Sequence, residues 1–222
     1  MKEEYYNHSS LDRQAQIFLR EVIPLRANHS MQINVAKVAL LVVDLQKFFS
    51  ERRSHAYVPS INAIIPQVLK LQDYCLRNGI KVIQTWHSNT ADNAGMMAKW
   101  WHNHVLMTTD PWVELIVEIA RPEIKPIVKS QYDAFYNSEL AAVLEASDIE
   151  QLIITGVMTH LCCETTARVA FTRGYEVFFC IDGTATYNRN FHLGSLLNLA
   201  HGVAVPMLVT EVIDQLEHSK KN

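Results

Sequence analysis

Six short apolar runs, rich in β-branched residues, recur along the chain, and stretches with helical spacing fall between most of them. The runs occupy residues 37–43 (K-V-A-L-L-V-V), 80–85, 126–130, 151–155 (Q-L-I-I-T), 176–181 and 203–209. A run that is apolar on both faces predicts a strand covered from both sides. Residues 61–77 carry apolar side chains at Ile61, Ile64, Ile65, Val68, Leu69 and Leu76, and Asn78-Gly79 provides a helix stop. Further helices are predicted over about 111–119, 138–146, 160–173 and 189–201, with a last one from near Thr210. Residues 88–109 are irregular and rich in Trp, His and Met. Residues 1–34 contain an amphipathic helix over about 10–22 and then a polar stretch through Pro24, an N-terminal helical arm laid over a domain of residues 35–222. Strands alternating with helices at this spacing imply right-handed crossovers. The expected fold class is α/β, a three-layer α/β/α sandwich around a six-stranded, mainly parallel, Rossmann-like sheet.

In open parallel sheets ligands bind beyond the carboxyl ends of the strands. Three reactive side chains stand at such ends: Asp44 after the first strand, Lys129 at the end of the third and Cys162 after the fourth. A charge placed directly after A-L-L-V-V needs a partner, and an Asp and a Lys at neighbouring strand ends satisfy each other. In the segment Q-L-I-I-T-G-V-M-T-H-L-C-C-E-T-T-A-R, Gly156 breaks the strand and Thr159 stands where an N-cap belongs. Cys162 is therefore expected in the first turn of a helix, where the positive helix end lowers a thiol's pKa and unpaired N–H groups face an oxyanion. Cys163, Ala167 and Ala170 form a stripe of small residues suited to packing on the sheet, while Cys162 points about 100° away. These features predict cysteine chemistry: Cys162 attacks a carbonyl carbon, Asp44 moves the proton and Lys129 orients the carboxylate. Read singly, each residue also has a structural role: Asp44 as a cap, Lys129 as an edge-strand charge and Cys162 as a small hydrophobe.

Composition narrows the field. The 222 residues suit one domain, and 49 % hydrophobic content supplies a large core. A net charge of −3 with dispersed basic residues argues against a nucleic-acid or membrane partner. The first residues lack the apolar core of a signal peptide, and four cysteines are too few for a disulfide scaffold, so a cytoplasmic location is expected. Cys75 and Cys180 lie in apolar runs and are expected to be core residues.

Four segments resemble the isochorismatase-like cysteine hydrolases, the superfamily of nicotinamidases and carbamoylsarcosine amidases. L-V-V-D-L-Q-K-F-F is similar to its Asp segment and places Asp44, Gln46 and Phe49. V-K-S-Q-Y-D-A-F-Y is similar to its Lys segment and places Lys129, with Tyr132 and Phe135 beyond. G-V-M-T-H-L-C-C-E-T-T-A-R resembles the nucleophile segment, and G-Y-E-V-F-F-C-I-D-G-T-A-T the strand and loop after it. The resemblance covers about residues 36–212. It implies an Asp–Lys–Cys triad of Asp44, Lys129 and Cys162, a cis peptide at Val157–Met158, and an oxyanion hole from the N–H groups of Met158 and Cys162. It implies hydrolysis of a C–N amide bond of a small molecule through a thioester acyl-enzyme, because true isochorismatases have Gly where Cys162 stands and cleave a vinyl ether. That ether cleavage, and a non-catalytic oligomeric module of the same fold, are the alternatives.

Phe49, Trp86, His87, Tyr132 and Phe135 are the expected substrate-binding residues, and the loop from Trp86 to Met107 is expected to line the pocket or a subunit interface. Nicotinamidases hold a divalent metal with an Asp-x-His pair. Here Ser54-His55 and Thr85-Trp86-His87 supply no Asp-x-His, only His87 has a counterpart, and His102 and His104 give only a weak i, i+2 spacing, so neither metal nor cofactor is expected. A homo-oligomer, dimer or tetramer, is expected.

Overall fold

The computed structural model describes residues 1–27, 29–102 and 104–220. The six apolar runs form one all-parallel sheet: β1 (Val38–Val43), β2 (Lys81–His87), β3 (Ile127–Lys129), β4 (Gln151–Val157), β5 (Glu176–Ala185) and β6 (Val205–Met207). Their order across the sheet is β3-β2-β1-β4-β5-β6. Every residue of β1 and of β4 is buried, as strands covered on both faces require. The strand order reverses between β1 and β4, which opens the crevice where parallel sheets bind ligands. Asp44 follows one of these strands and Cys162 the other.

The helices are α1 (Leu11–Arg26), α2 (Lys47–Ser50), α3 (Ile61–Arg77), α4 (Gly95–Trp100), α5 (Leu140–Glu145), α6 (Glu164–Thr172), α7 (Arg189–Gly202) and α8 (Val209–Ser219). α3 and α8 pack on each other and on the sheet, while α1, α6 and α7 form the second outer layer. The arm helix runs further than its sequence pattern predicts, to Arg26 with Pro24 inside it, and it lies on α7, β5 and β6.

Three elements differ from expectation. The helix expected over 111–119 is a single 3₁₀ turn, Pro111–Val113, started by the Asp110 carboxylate accepting from the Trp112 N–H at 2.8 Å. Beyond it Leu115 bridges Gln46, the Ile116 N–H donates to the Leu45 carbonyl at 2.8 Å, and residues 117–119 form a turn closed by the Ile119 and Ala120 N–H groups on the Ile116 carbonyl. The irregular loop after β2 contains α4. Thr159 caps no helix: it is the first residue of a π turn, Thr159–Cys163, and α6 begins only at Glu164.

Candidate active site

The carboxyl ends of β1, β3 and β4 bring Asp44, Lys129 and Cys162 together. Asp44 is fully buried and takes a left-handed conformation (φ 49°), which Asp tolerates better than most residues. Gly156 lies beside it on β4 with φ 110°, and a Cβ there would meet the Val43 carbonyl oxygen at 2.0 Å. Only glycine allows β4 to approach this closely at the point where β1 turns into Asp44. The Thr85 hydroxyl donates to Asp44 Oδ1 at 2.6 Å and accepts from the Asp44 N–H at 3.1 Å. The other carboxylate oxygen, Oδ2, is 2.7 Å from Lys129 Nζ, with both side chains fully buried. The same ammonium donates to the Gln131 carbonyl at 2.9 Å and to Cys162 Sγ at 3.3 Å. One buried cation thus touches both the acid and the sulfur.

Burial dominates the electrostatics. It pushes the Cys162 thiol up to about 12; the Lys129 charge works against this and the Asp44 charge with it. Cys162 does stand in the first turn of a helical run, the π turn that continues into α6, but its thiol is raised and not acidified, because desolvation outweighs the ammonium. Lys129 itself is held above its ordinary range: burial opposes its charge, but the Asp44 carboxylate and Cys162 more than offset that. Cys163 is wholly buried with Ala167 and Ala170, and desolvation drives its thiol well up, in keeping with a core position. The peptide between Val157 and Met158 is cis.

Cys162 is 6 % exposed and forms the floor of a narrow pocket. The space open to the centre of a water-sized sphere there is about 50 Å³, which suits a small ligand. Phe49, His87, Tyr132 and Met158 line it, with Met97, Trp101 and His104 from the Trp86–Met107 loop expected there, and with Phe48, His55 and Tyr187 among others. Trp101 comes from the loop after β2, and its indole N–H donates to the Tyr132 hydroxyl at 2.8 Å. Among the described residues, no Asp, Glu, Lys or Arg lines the pocket. His87 is pushed down to about 4, chiefly by burial and then by the Lys129 charge, and burial also lowers His55. Gln46 secures His87 by accepting from its N–H at 2.8 Å and donating to its carbonyl at 2.9 Å.

Two expected pocket residues lie elsewhere. β2 and β3 pair Trp86 with Val128 and His87 with Lys129, so strand alternation that aims His87 at the site turns Trp86 away, into a separate groove beside Glu114 and Arg121. Phe135 packs under the Tyr175 ring at 5.8 Å, with the Arg173 guanidinium 5.0 Å from its own ring centre. His160 bonds the Thr186 hydroxyl and stacks on Phe191 at 4.5 Å. The Thr85 hydroxyl beside His87 is committed to Asp44, and among the described residues no three His, Cys, Asp or Glu side chains are grouped as metal ligands.

A family model described as "Isochorismatase domain" matches residues 38–211. Nicotinamidase 3 of Arabidopsis thaliana is 38 % identical over 172 residues, which are 75 % of this chain and 82 % of that protein. Enterobactin synthase component B of Escherichia coli (strain K12) is 32 % identical over 169 residues, 74 % of this chain and 58 % of its own length. Among solved structures, a cysteine hydrolase from Pseudomonas syringae pv. phaseolicola 1448A superposes with a TM-score of 0.81 at 29 % identity, covering 85 % of this chain and 96 % of that one.

Proposed function

Since the chain belongs to the isochorismatase family of hydrolases, we propose that it is a cysteine-dependent amidohydrolase acting on a small, uncharged amide. The observation that carries this reading is the Lys129 ammonium, in contact with both the Asp44 carboxylate and the Cys162 sulfur at the floor of the pocket. The resting thiol is neutral, so attack needs a base, and Asp44 is its buried hydrogen-bonding neighbour. Asp44 takes the thiol proton as Cys162 Sγ bonds to the carbonyl carbon, and the N–H groups of Met158 and Cys162 receive the oxyanion. The C–N bond then breaks as Asp44 returns the proton to the leaving nitrogen, leaving a thioester on Cys162. A water gives its proton to Asp44 and attacks the thioester. The carboxylic acid leaves, and the proton passes back to the sulfur. Lys129 keeps its charge throughout, orienting Asp44 and balancing the negative charge that moves between oxygen and sulfur.

The pocket lining supports the substrate class. Without a charged side chain in the wall, a substrate bearing carboxylates has no cation to meet, which disfavours the ether-cleaving reading, whose substrate is a carboxylate. Phe49 and Tyr132 offer apolar walls, and neutral His87 offers a hydrogen bond. The test is ammonia release from small neutral amides, ureas and carbamoyl compounds. Cys162→Ala is expected to abolish turnover with its unfolding midpoint retained, and Cys163→Ala to keep most of it. Turnover by Cys162→Ala comparable to the parent would refute the assignment.

A further inference from the structure

The N-terminal arm lies outside residues 38–211, the part matched by the family model, yet it reaches the turn that carries Cys162. The connection is His192 of α7, which is fully buried. Three rings of the arm enclose its imidazole: Tyr5, Tyr6 and Phe18, with ring centres at 5.2, 5.4 and 4.9 Å. His192 Nε2 is 3.3 Å from the Tyr6 hydroxyl, and Nδ1 is 3.0 Å from the hydroxyl of Thr159, the first residue of the π turn.

The His192 ring can carry its proton on either nitrogen, and the arrangement with it on Nε2 is one that satisfies every partner. The Tyr6 hydroxyl donates its single proton to the Ile181 carbonyl at 3.2 Å, so it accepts from His192 Nε2–H. A neutral imidazole with its proton on Nε2 leaves Nδ1 as an acceptor, and the Thr159 hydroxyl is the donor. Burial keeps the ring neutral, pushing His192 down to about 3. Tyr5 closes the same corner: its hydroxyl accepts from the Thr186 N–H at 3.0 Å and is a hydrogen-bonding neighbour of Thr159.

We infer that the N-terminal arm is a positioning part of the active site, holding the nucleophile turn in register through the buried chain Tyr6–His192–Thr159. The inference rests on Cys162 being the reactive group. Tyr6, His192 and Thr159 touch no reacting atom; they fix the start of a five-residue turn whose fourth residue is Cys162 and whose preceding residue is Met158. An anchor from outside the turn, at its first residue, limits how far the sulfur drifts from Lys129 and Asp44.

The test is a double-mutant cycle in the full chain. Tyr6→Phe and Thr159→Val each remove one hydroxyl and keep the shape, and Thr159→Ser restores the donor. With a substrate from the amide screen, each single variant is expected to lower kcat roughly tenfold with KM within about twofold. The double variant is expected to fall no further than Thr159→Val, since both cut one chain, and Thr159→Ser to stay near the parent. Losses that multiply, or an unchanged kcat beside a lowered unfolding midpoint, would overturn the inference. Alkylation of Cys162 by iodoacetamide, mapped by peptide mass, needs no substrate. It is expected to change by about threefold in each single variant with the same non-additivity, and an unchanged rate would overturn the inference. Full turnover by Cys162→Ala would instead refute the hydrolase reading, leaving the alkylation cycle to judge the arm.

Discussion

Replacing Lys129 by Met keeps most of the side-chain volume and removes the ammonium that Asp44 faces at 2.7 Å. At an effective dielectric of about 20 the gross attraction across that distance is about 6 kcal/mol, set against the cost of holding both ions away from water. Both side chains are fully buried, so solvent screening makes no allowance necessary. Breaking such a pair from one side typically costs about 3–5 kcal/mol, because the remaining charge is buried alone. For a chain of 222 residues this lowers the unfolding midpoint by roughly 6–20 °C. Asp44→Asn is expected to destabilise in the same range by stranding the ammonium. The double variant Asp44→Asn/Lys129→Met leaves no charge and is expected to recover at least about 2 kcal/mol relative to the sum of the singles. Urea denaturation of the four proteins at pH 7 measures all of this, and none of the three variants should release ammonia. A Lys129→Met cost below about 1 kcal/mol, or strict additivity in the double variant, would show that the pair is not the buried couple described here.

Stability should fall as the solution is acidified from pH 7 toward pH 4. His87 and His160 are pushed down to about 4 and His192 to about 3, so below pH 6.5 the unfolded chain binds protons that the folded chain refuses, and stability is lost through that window. Asp182, raised to about 6 by burial, and Asp133, also raised by burial, act in the opposite sense against four lowered histidines, His55 among them. Urea midpoints at pH 7, 5.5 and 4.5 test this, and a flat profile would contradict it. Gly156→Ala should prevent folding or cost at least about 3 kcal/mol, since its Cβ would overlap the Val43 carbonyl at a φ that L residues avoid. Gly194→Ala in α7, with no atom near the added carbon, should instead stabilise by about 0.5–1 kcal/mol, and equal effects of the two alanines on the urea midpoint would refute the contrast.

The sheet was legible because its central strands are buried on both faces. Runs such as Val38–Val43 contain no polar residue to suggest another structure, and the break at Asp44 marked the strand end. Asp44, Lys129 and Cys162 could be placed at strand ends from the same pattern. The pocket wall was less legible. The period-2 alternation that separates His87 from Trp86 was available once His87 was counted within β2, but the apolar run alone suggested a strand stopping at Thr85. The Trp86–Met107 stretch could be named as pocket lining, but which of its side chains face inward (Met97 of α4, Trp101 and His104) and that His55 joins them depend on packing with no sequence period. The neutral state of the Cys162 thiol depends on how deeply the turn is buried, which propensity does not encode. Nor did any local signal join Tyr6 to His192, 186 positions apart.

The edge position of β3 has a consequence for how the protein acquires and loses activity. β3 is three residues long, with Val128 open to solvent, and it pairs only with β2. Its last residue, Lys129, reaches past β2 to groups that follow β1 and β4. On the role proposed for Lys129, a chain in which this outermost strand is undocked lacks the ammonium at the site, so turnover reports the docking of β3. On warming, fraying of the same strand would silence the enzyme while most of its secondary structure persisted.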